Sequence, residues 1–236
     1  MDFFISTKNR TDKEELMDDF SIGGDLLRDT LDKLENINRW LGGNLMTVKA
    51  LKKVLKNHPK EQELTIADIG CGHGDILRDV AKFGRKNGYK MKLIGMDANP
   101  TAIAYANELS SEFSELSFKT EDIFSEAFKN RKFDVVLATL FLHHFKEEQL
   151  TSFLGNTLKQ TKIGIVVNDL HRHKLAYYLF MLLSVFIKNN MIIEDGLTSV
   201  LRGFKRNELA HISKKLKVKP QISWKWAFRF EWILKY

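Results

Sequence analysis

Asp68, Ile69, Gly70, Cys71, Gly72, His73, Gly74 and Asp75 stand between a short apolar run, residues 64–69, and an amphipathic stretch, residues 75–86, that stops at Gly88. This order predicts strand, tight turn and helix. Glycines at the turn let the main chain bend sharply and let a ligand approach it. The first turn of the following helix presents unpaired amides to a carboxylate or phosphate. The dinucleotide fingerprint Gly-x-Gly-x-x-Gly would need glycine at position 75, where Asp75 stands; the third glycine comes one residue early, at Gly74. That spacing argues against a bound pyrophosphate.

Outward from this turn the same unit recurs. Strands are expected at residues 92–96, 117–119, 133–138 and 163–168, with helices at 101–112 and 147–159 and a short helical piece after the third strand. Strands alternating with helices imply an α/β fold, a parallel sheet covered on both faces. Two helical stretches, residues 25–40 and 44–57, precede the first strand, with Leu26, Leu27, Leu31, Leu34 and Ile37 at helical spacing. Near the end, residues 208–216 read as a helix, and residues 218–223 and 227–234 read as an antiparallel strand pair, Pro220 opening the first.

The glycine loop resembles the first motif of the class I S-adenosylmethionine-dependent methyltransferases, an acidic residue followed by Gly-x-Gly-x-Gly, over roughly residues 66–169. Asp97 ends the second strand, Glu121, Asp122 and Ile123 follow the third, and Phe133, Asp134, Val135 and Val136 open the fourth, each where the family has a motif. The resemblance implies a Rossmann-like three-layer sandwich with a mostly parallel seven-stranded sheet, a terminal antiparallel strand and a helical cap. It implies S-adenosylmethionine as cofactor, the methionine part held by Asp68, Gly70, Cys71, Gly72 and Gly74. Asp97 and Ala98 would hold the ribose, Asp122 and Ile123 the adenine, and Ala138 would stand near them. The expected domains are a helical cap over residues 1–60 and a methyltransferase domain over 61–236, with a helical insertion near 174–216.

Residues beyond the carboxyl ends of the fourth and fifth strands are the candidates for the acceptor site, because ligands collect there in open α/β sheets. The fourth strand leads to His143 and His144 before Phe145, without the Asn/Asp-Pro-Pro-aromatic pattern of enzymes that methylate nucleobase amines. The fifth ends in Asn168, Asp169, Leu170, His171, Arg172 and His173. These histidines resemble those of ubiquinone and menaquinone biosynthetic methyltransferases. Residues 38–43, 168–180 and 224–234 look like bacterial methyltransferases of polyketide and lipid-like phenol pathways. A phenol or enol needs a base to become nucleophilic, and neutral histidine titrates in the right range. His144 and His171 are therefore the expected bases, with His143, Arg172, His173 and Tyr177 touching an apolar small-molecule acceptor. No metal is expected, since catechol-type magnesium sites favour oxygen ligands.

Residues 175–187 are almost continuously apolar but too few to span a bilayer, which takes about 20 residues. They read as a cap helix buried on all sides, or as a core helix. Peripheral contact with lipid, aided by Lys174 and Lys188, is the third reading. With 44% hydrophobic and 28% charged residues the composition is that of a folded globular chain. A net charge of +7 raises an RNA methyltransferase as an alternative function, yet no separate RNA-binding module is visible and no specific nucleic acid is expected. A non-catalytic protein that binds S-adenosylmethionine would show the same motifs. The single cysteine excludes an internal disulfide, and the start, which soon turns acidic at residues 12–19, does not read as a signal peptide; a cytoplasmic protein is expected.

Overall fold

A computed structural model describes residues 5–235. Strand β1 (Leu64–Ile69) runs into the glycine turn and helix α3 (Asp75–Asn87). Gly74 caps that helix with a left-handed backbone, φ 81°, and Gly88 closes it in the same conformation. This is the punctuation that glycine alone supplies at low cost. Two more units follow, β2 (Met91–Asp97) with α4 (Pro100–Leu109), then β3 (Leu116–Thr120) with the short α5 (Glu126–Lys129). Asn99 caps α4, its side chain accepting the amides of Thr101 and Ala102, with Pro100 in the first turn where its missing N–H costs nothing. Next come β4 (Phe133–Thr139), α6 (Glu147–Gln160) and β5 (Thr161–Leu170), and the chain ends in β6 (Gln221–Lys225) and β7 (Arg229–Leu234).

Among the described residues, seven strands form one sheet in the order β3-β2-β1-β4-β5-β7-β6, in which β7 alone runs antiparallel, between β5 and β6. The order reverses at β1, so the glycine turn and the ends of β1, β2 and β4 share one crevice. Both faces of the sheet are covered. Helices α1 (Gly24–Trp40) and α2 (Gly43–Val54) precede it. Ala50, Leu51 and Val54 of α2 join Leu77, Val80 and Ala81 of α3 over one face, so α2 belongs to the main core as much as α3 does. On the other face Phe153, Leu154 and Leu158 of α6 pack with Leu209 and Ile212 of α9 (Arg206–Lys215) and with Trp232. Trp232 is wholly buried and its Nε1 donates to Ser213 Oγ at 3.2 Å, satisfying the one polar atom of its ring. A smaller cluster, Leu27, Leu31, Ala102 and Tyr105, fixes α1 to α4 above the strand ends.

The last third departs from the expectation in three places. Residues 175–187 form α7 (Lys174–Ser184), but the helix is not enclosed: Ala176 is its only buried residue, and Leu182 is 64% exposed. A helix α8 (Asn190–Arg202) follows, inside the region expected as a helical insertion but not picked out there as a separate helix. Gly196 is there to admit the ring of Phe180; a Cβ on it would lie 2.1 Å from Phe180 Cζ. The strand expected at residues 218–223 starts later, at Gln221. Lys217 turns the chain with φ 57°, and the Val218 amide goes back to the carbonyl of Ser213, 3.1 Å away, closing α9 instead of entering the sheet.

Candidate active site

The glycine turn is held down at its base. The amides of Gly70 and Cys71 both donate to the carbonyl of Met96, at 2.8 and 3.1 Å, and the Gly72 amide donates to Asp97 Oδ2 at 2.9 Å. Gly70 has φ 68°, and a Cβ there would lie 2.1 Å from the ring of Phe141, so both the conformation and the close approach require glycine. Asp97 Oδ1 takes the Asn99 amide at 2.9 Å. Each Asp97 oxygen thus carries one backbone bond and keeps lone pairs for a further donor, the arrangement a ribose diol needs.

Asp68, 2% exposed, lies under the same turn. Its Oδ1 has no hydrogen-bond partner among the described residues, and burial, with the charges of Asp75 and Asp97, pushes its carboxyl well above the usual range. A cationic group brought against it, such as the ammonium of a methionyl moiety, would relieve that cost. Cys71 lines the same cleft with its thiol pushed up by burial. Beyond β3, Asp122 and Ile123 also reach the cleft; Ile123 packs on the core, and Asp122 Oδ1 takes the Phe124 amide at 2.8 Å. Ala98 and Asp97 lie beside them, whereas Gly74 and Ala138 do not reach the cleft wall. Gly74 shapes the helix start beneath Phe118, and Ala138 is core.

Helix α1, within the stretch expected as a helical cap, lies against the glycine loop through contacts not assigned from the sequence. His73, 3% exposed, directs Nε2 at Glu35 Oε2, 3.0 Å away, and Tyr105 donates to both oxygens of Asp32.

The cleft runs on past the loop, with a volume of about 1700 Å³. After β4 the chain turns through Leu140, a non-glycine residue at φ 52°, and lays Phe141, His143 and His144 along the wall. Strain of this kind collects at functional sites. The two histidines have different surroundings. His143 is 2% exposed; its Nδ1 lies 2.7 Å from Asp169 Oδ1 and its Nε2 3.5 Å from Glu15 Oε1. Burial lowers its pKa, but the charge and hydrogen bond of Asp169 and then Glu15 outweigh it and hold the group up at about 9. A ring that keeps its proton at neutral pH cannot accept another.

His144, 22% exposed, sets Nδ1 2.6 Å from Asp18 Oδ1. Its Nε2 has no partner among the described residues, and the ring borders the cleft. Burial opposes ionisation of Asp18, but its bonds to His144 and to Arg202, whose Nη1 is 2.7 Å from Oδ2, hold its carboxyl well below the usual range. A carboxylate can only accept, so Nδ1 directs a proton at Asp18 and Nε2 is the ring nitrogen left to face the cleft.

Asp18 and Glu15 come from a 3-10 turn (Leu16–Asp18) fastened to α8. Asp195 accepts the amides of Leu16 and Met17 at 2.6 and 3.0 Å, Ser199 donates to Glu15 Oε2 at 2.7 Å, and Arg202 Nη2 reaches the His144 carbonyl. Glu15, His143 and His144 bring ligand-type atoms within 4.8 Å of one another. Arg202 Nε, however, stands 3.8 Å from Glu15 Oε1, and His144 Nδ1 is committed to Asp18, so side chains of the protein already balance these carboxylates.

The other expected acceptor-site residues lie away from the cleft wall. His171 sits in the terminal strands, its ring centroid 4.9 Å from that of Phe230, with Nδ1 accepting from Trp224 Nε1 at 3.2 Å. Burial, then Lys205, His173 and Arg172, push it down to about 4. Arg172 is fully buried, held by Glu208 and by the carbonyls of Thr7, Lys8 and Gly203. His173 caps α7, and Tyr177 meets Tyr178 edge-on.

Residues 60–192, more than half of the chain, match the family described as "Methyltransferase domain". The chain is 28% identical over 141 residues to a ubiquinone biosynthesis O-methyltransferase of Rickettsia canadensis, covering 58% of this chain and 56% of that one. Against a carboxy-S-adenosyl-L-methionine synthase of Nitratiruptor sp. it is 29% identical over 99 residues, 41% of this chain and 40% of the other. The matched region thus spans about half the length of these curated relatives. Among solved structures, the plantazolicin methyltransferase BpumL in complex with SAH superposes with a TM-score of 0.67 at 16% identity, covering 90% of this chain and 91% of that one. The magnesium protoporphyrin IX methyltransferase ChlM of Synechocystis superposes with a TM-score of 0.57 at 13% identity, over 85% and 87% of the two chains. With its sheet order, its glycine turn under Asp97 and this match, the chain belongs to the methyltransferase-domain family, of the S-adenosylmethionine-dependent, Rossmann-like class.

Proposed function

We propose that this protein methylates an ionisable oxygen, phenolic or enolic, on an apolar small molecule, with His144 as the base. The observation that carries the reading is the Asp18–His144 pair on the wall of the cleft that the glycine loop opens into. S-adenosylmethionine supplies an electrophilic methyl group on a sulfonium; what remains for the protein is to position the acceptor in line and remove its proton. His144 Nε2 accepts the proton of the hydroxyl, and Asp18 stabilises the imidazolium formed and keeps the ring in its tautomer. His143, already protonated, holds Asp169 and Glu15 in place behind it. Asp68, Gly70 and Gly72 would hold the methionine part, Asp97 and Ala98 the ribose, and Asp122 with Ile123 the adenine.

The character of the cleft favours this over a polyanionic acceptor. Thirteen carboxylate residues line it against four Lys or Arg, a field that attracts a cationic sulfonium and repels a phosphate chain. Apolar surface for the acceptor comes from Phe20, Phe124, Phe141, Phe145 and Phe180. The volume exceeds the roughly 300–1,000 Å³ of a one-ligand site, leaving room for two molecules side by side. The test is a panel of alkylated phenols and enols, read by mass gain of one methyl group and by SAH release. Methylation of amines alone, with every oxygen acceptor inert, would refute the reading.

A further inference from the structure

Helix α7 reverses the usual order of an amphipathic helix. Ala176 and Phe180 face inward, Phe180 lining the cleft against Gly196. The outward face is no more polar. Leu175, Leu179 and Leu182 fall at spacings of four and three, one side of the helix, and are 51, 48 and 64% exposed; Val185 and Phe186, in the turn that follows, are 76 and 81% exposed. At its N-terminal end the His173 ring lies 5.2 Å from that of Phe228, joining α7 to the turn between β6 and β7. That turn exposes Trp226 at 73%, beside Trp224 at 49%, and holds Ala227 and Phe228 in left-handed conformations, φ 60° and 53°. Large apolar side chains are not left in water over a continuous patch without an occupant.

Charge identifies the occupant. The chain has 30 Asp and Glu in 236 residues, yet none occurs between Asp169 and Glu194, the stretch that holds α7, or between Glu208 and Glu231, the stretch that ends in the β6–β7 turn. The first carries Lys174 and Lys188 at the ends of the apolar run, both exposed and neither in an ion pair among the described residues; the second carries Lys217 and Lys219 before β6, and Lys225 at its end, 3.7 Å from Glu231. A protein partner or a second copy would impose no need to clear every carboxylate from two separate segments. An anionic bilayer does, and tryptophans at the rim and lysines flanking an apolar helix are what its interface accommodates.

We infer that α7 and the β6–β7 turn dock on an anionic lipid surface, with Leu175, Leu179, Leu182, Phe186 and Trp226 entering the headgroup boundary. Because Phe180 lines the cleft from the opposite side of the same helix, docking sets the cleft wall against the bilayer. That the acceptor arrives from the lipid is an extension that rests on the proposed function; the docking does not.

The experiment is co-sedimentation of the full chain with vesicles of phosphatidylcholine, with and without about one-third phosphatidylglycerol, in the absence of acceptor. Binding is expected to the anionic vesicles, to weaken with salt, and to fall about tenfold or more in Leu182→Glu/Phe186→Glu, while SAH affinity and melting temperature stay unchanged. As a readout independent of that variant, lipids with brominated tails should quench the wild-type fluorescence, and Trp226→Phe should lose most of the quenched component. No binding to anionic vesicles at low salt would overturn the inference. So would equal binding by the double variant. A dimer of the wild-type chain that the glutamates convert to monomers, without vesicle binding, would assign the face to a second copy. Turnover of short-chain phenols without vesicles tests the proposed function separately.

Discussion

Replacing His144 by Gln keeps the approximate size of the side chain and a hydrogen bond to Asp18 while removing the titrating nitrogen. Removal of a general base costs typically 10²–10⁴ in turnover, and cofactor affinity should stay nearly constant because His144 has no bond to the glycine loop or to Asp97. The partner variant, Asp18→Asn, has a magnitude set by geometry. Asp18 Oδ1 is 2.6 Å from Nδ1, and two unit charges centred about 4 Å apart at an effective dielectric of about 20 interact by about 4 kcal/mol. Arg202, bound to the other oxygen at 2.7 Å, withdraws part of this. About 2–3 kcal/mol then remains to stabilise the imidazolium, or on the order of 30- to 200-fold in rate. Both variants should be measured as kcat and kcat/KM across pH, with acceptors of differing acidity. An acceptor ionised at assay pH should recover most of the loss in both, since it no longer needs its proton removed. If His144→Gln keeps full activity on a weakly acidic phenol, or if the loss is the same for ionised and neutral acceptors, proton transfer is not the role of the pair.

Asp97→Ala should weaken SAH binding about ten- to a hundredfold by calorimetry, the worth of a charge-assisted bond of about 1.5–3 kcal/mol; equal affinity would remove Asp97 from the site. Gly70→Val places a side chain into the Phe141 ring, with the Cβ only 2.1 Å from its nearest atom, at a φ of 68°, so soluble protein should melt lower and lose SAH binding together; retention of both would refute the packing. His143→Gln removes the basis of an alkaline stability loss. Its pKa is raised from 6.5 to about 9 in the fold, so the stabilisation is complete below about 6.5 and disappears as pH rises through 9. At about 1.4 kcal/mol per unit, some 3 kcal/mol should be lost between pH 6 and 10 in urea titrations of the wild type, and the variant should show a flatter profile.

Residues 64–169 were legible because each step there is local. A glycine forced by φ and an apolar run ending at an acidic residue need no distant partner to be recognised, and both lie where they were expected. Helix α7 was legible as a helix and misjudged in its surroundings, since periodicity gives the direction of apolar side chains but not what faces them. The uniform apolarity of residues 175–187 suggested enclosure, whereas half of that surface is exposed. His171 and His173 failed for a related reason. The ends of strands point toward a ligand as a rule, but β5 continues to Leu170, and the residues after it are taken up by β7, by the turn before it and by α9.

What separates His144 from His143 is supplied from outside the segment that holds them. His143 keeps its proton through Asp169 and Glu15, while His144 is oriented by Asp18; Glu15 and Asp18 lie more than a hundred residues earlier and are positioned by Asp195, Ser199 and Arg202 of α8. In the sequence the acidic stretch at residues 12–19 carries no periodicity that marks it as part of a site. Its function becomes visible only when α8 accepts the amides of Leu16 and Met17 and turns the two carboxylates toward the strand ends. The base is therefore an assembly of three segments, the turn at residues 16–18, the loop after β4 and helix α8, and it should be sensitive to changes that touch none of the reacting atoms. Asp195→Asn is the direct case. It removes the charge that holds two backbone amides while leaving the glycine loop untouched, so turnover should fall with the neutral acceptor, recover with the ionised one, and leave SAH affinity in place. A loss of SAH affinity equal to the loss of turnover would mean instead that the N-terminal turn holds the cofactor, and that the base has to be sought elsewhere.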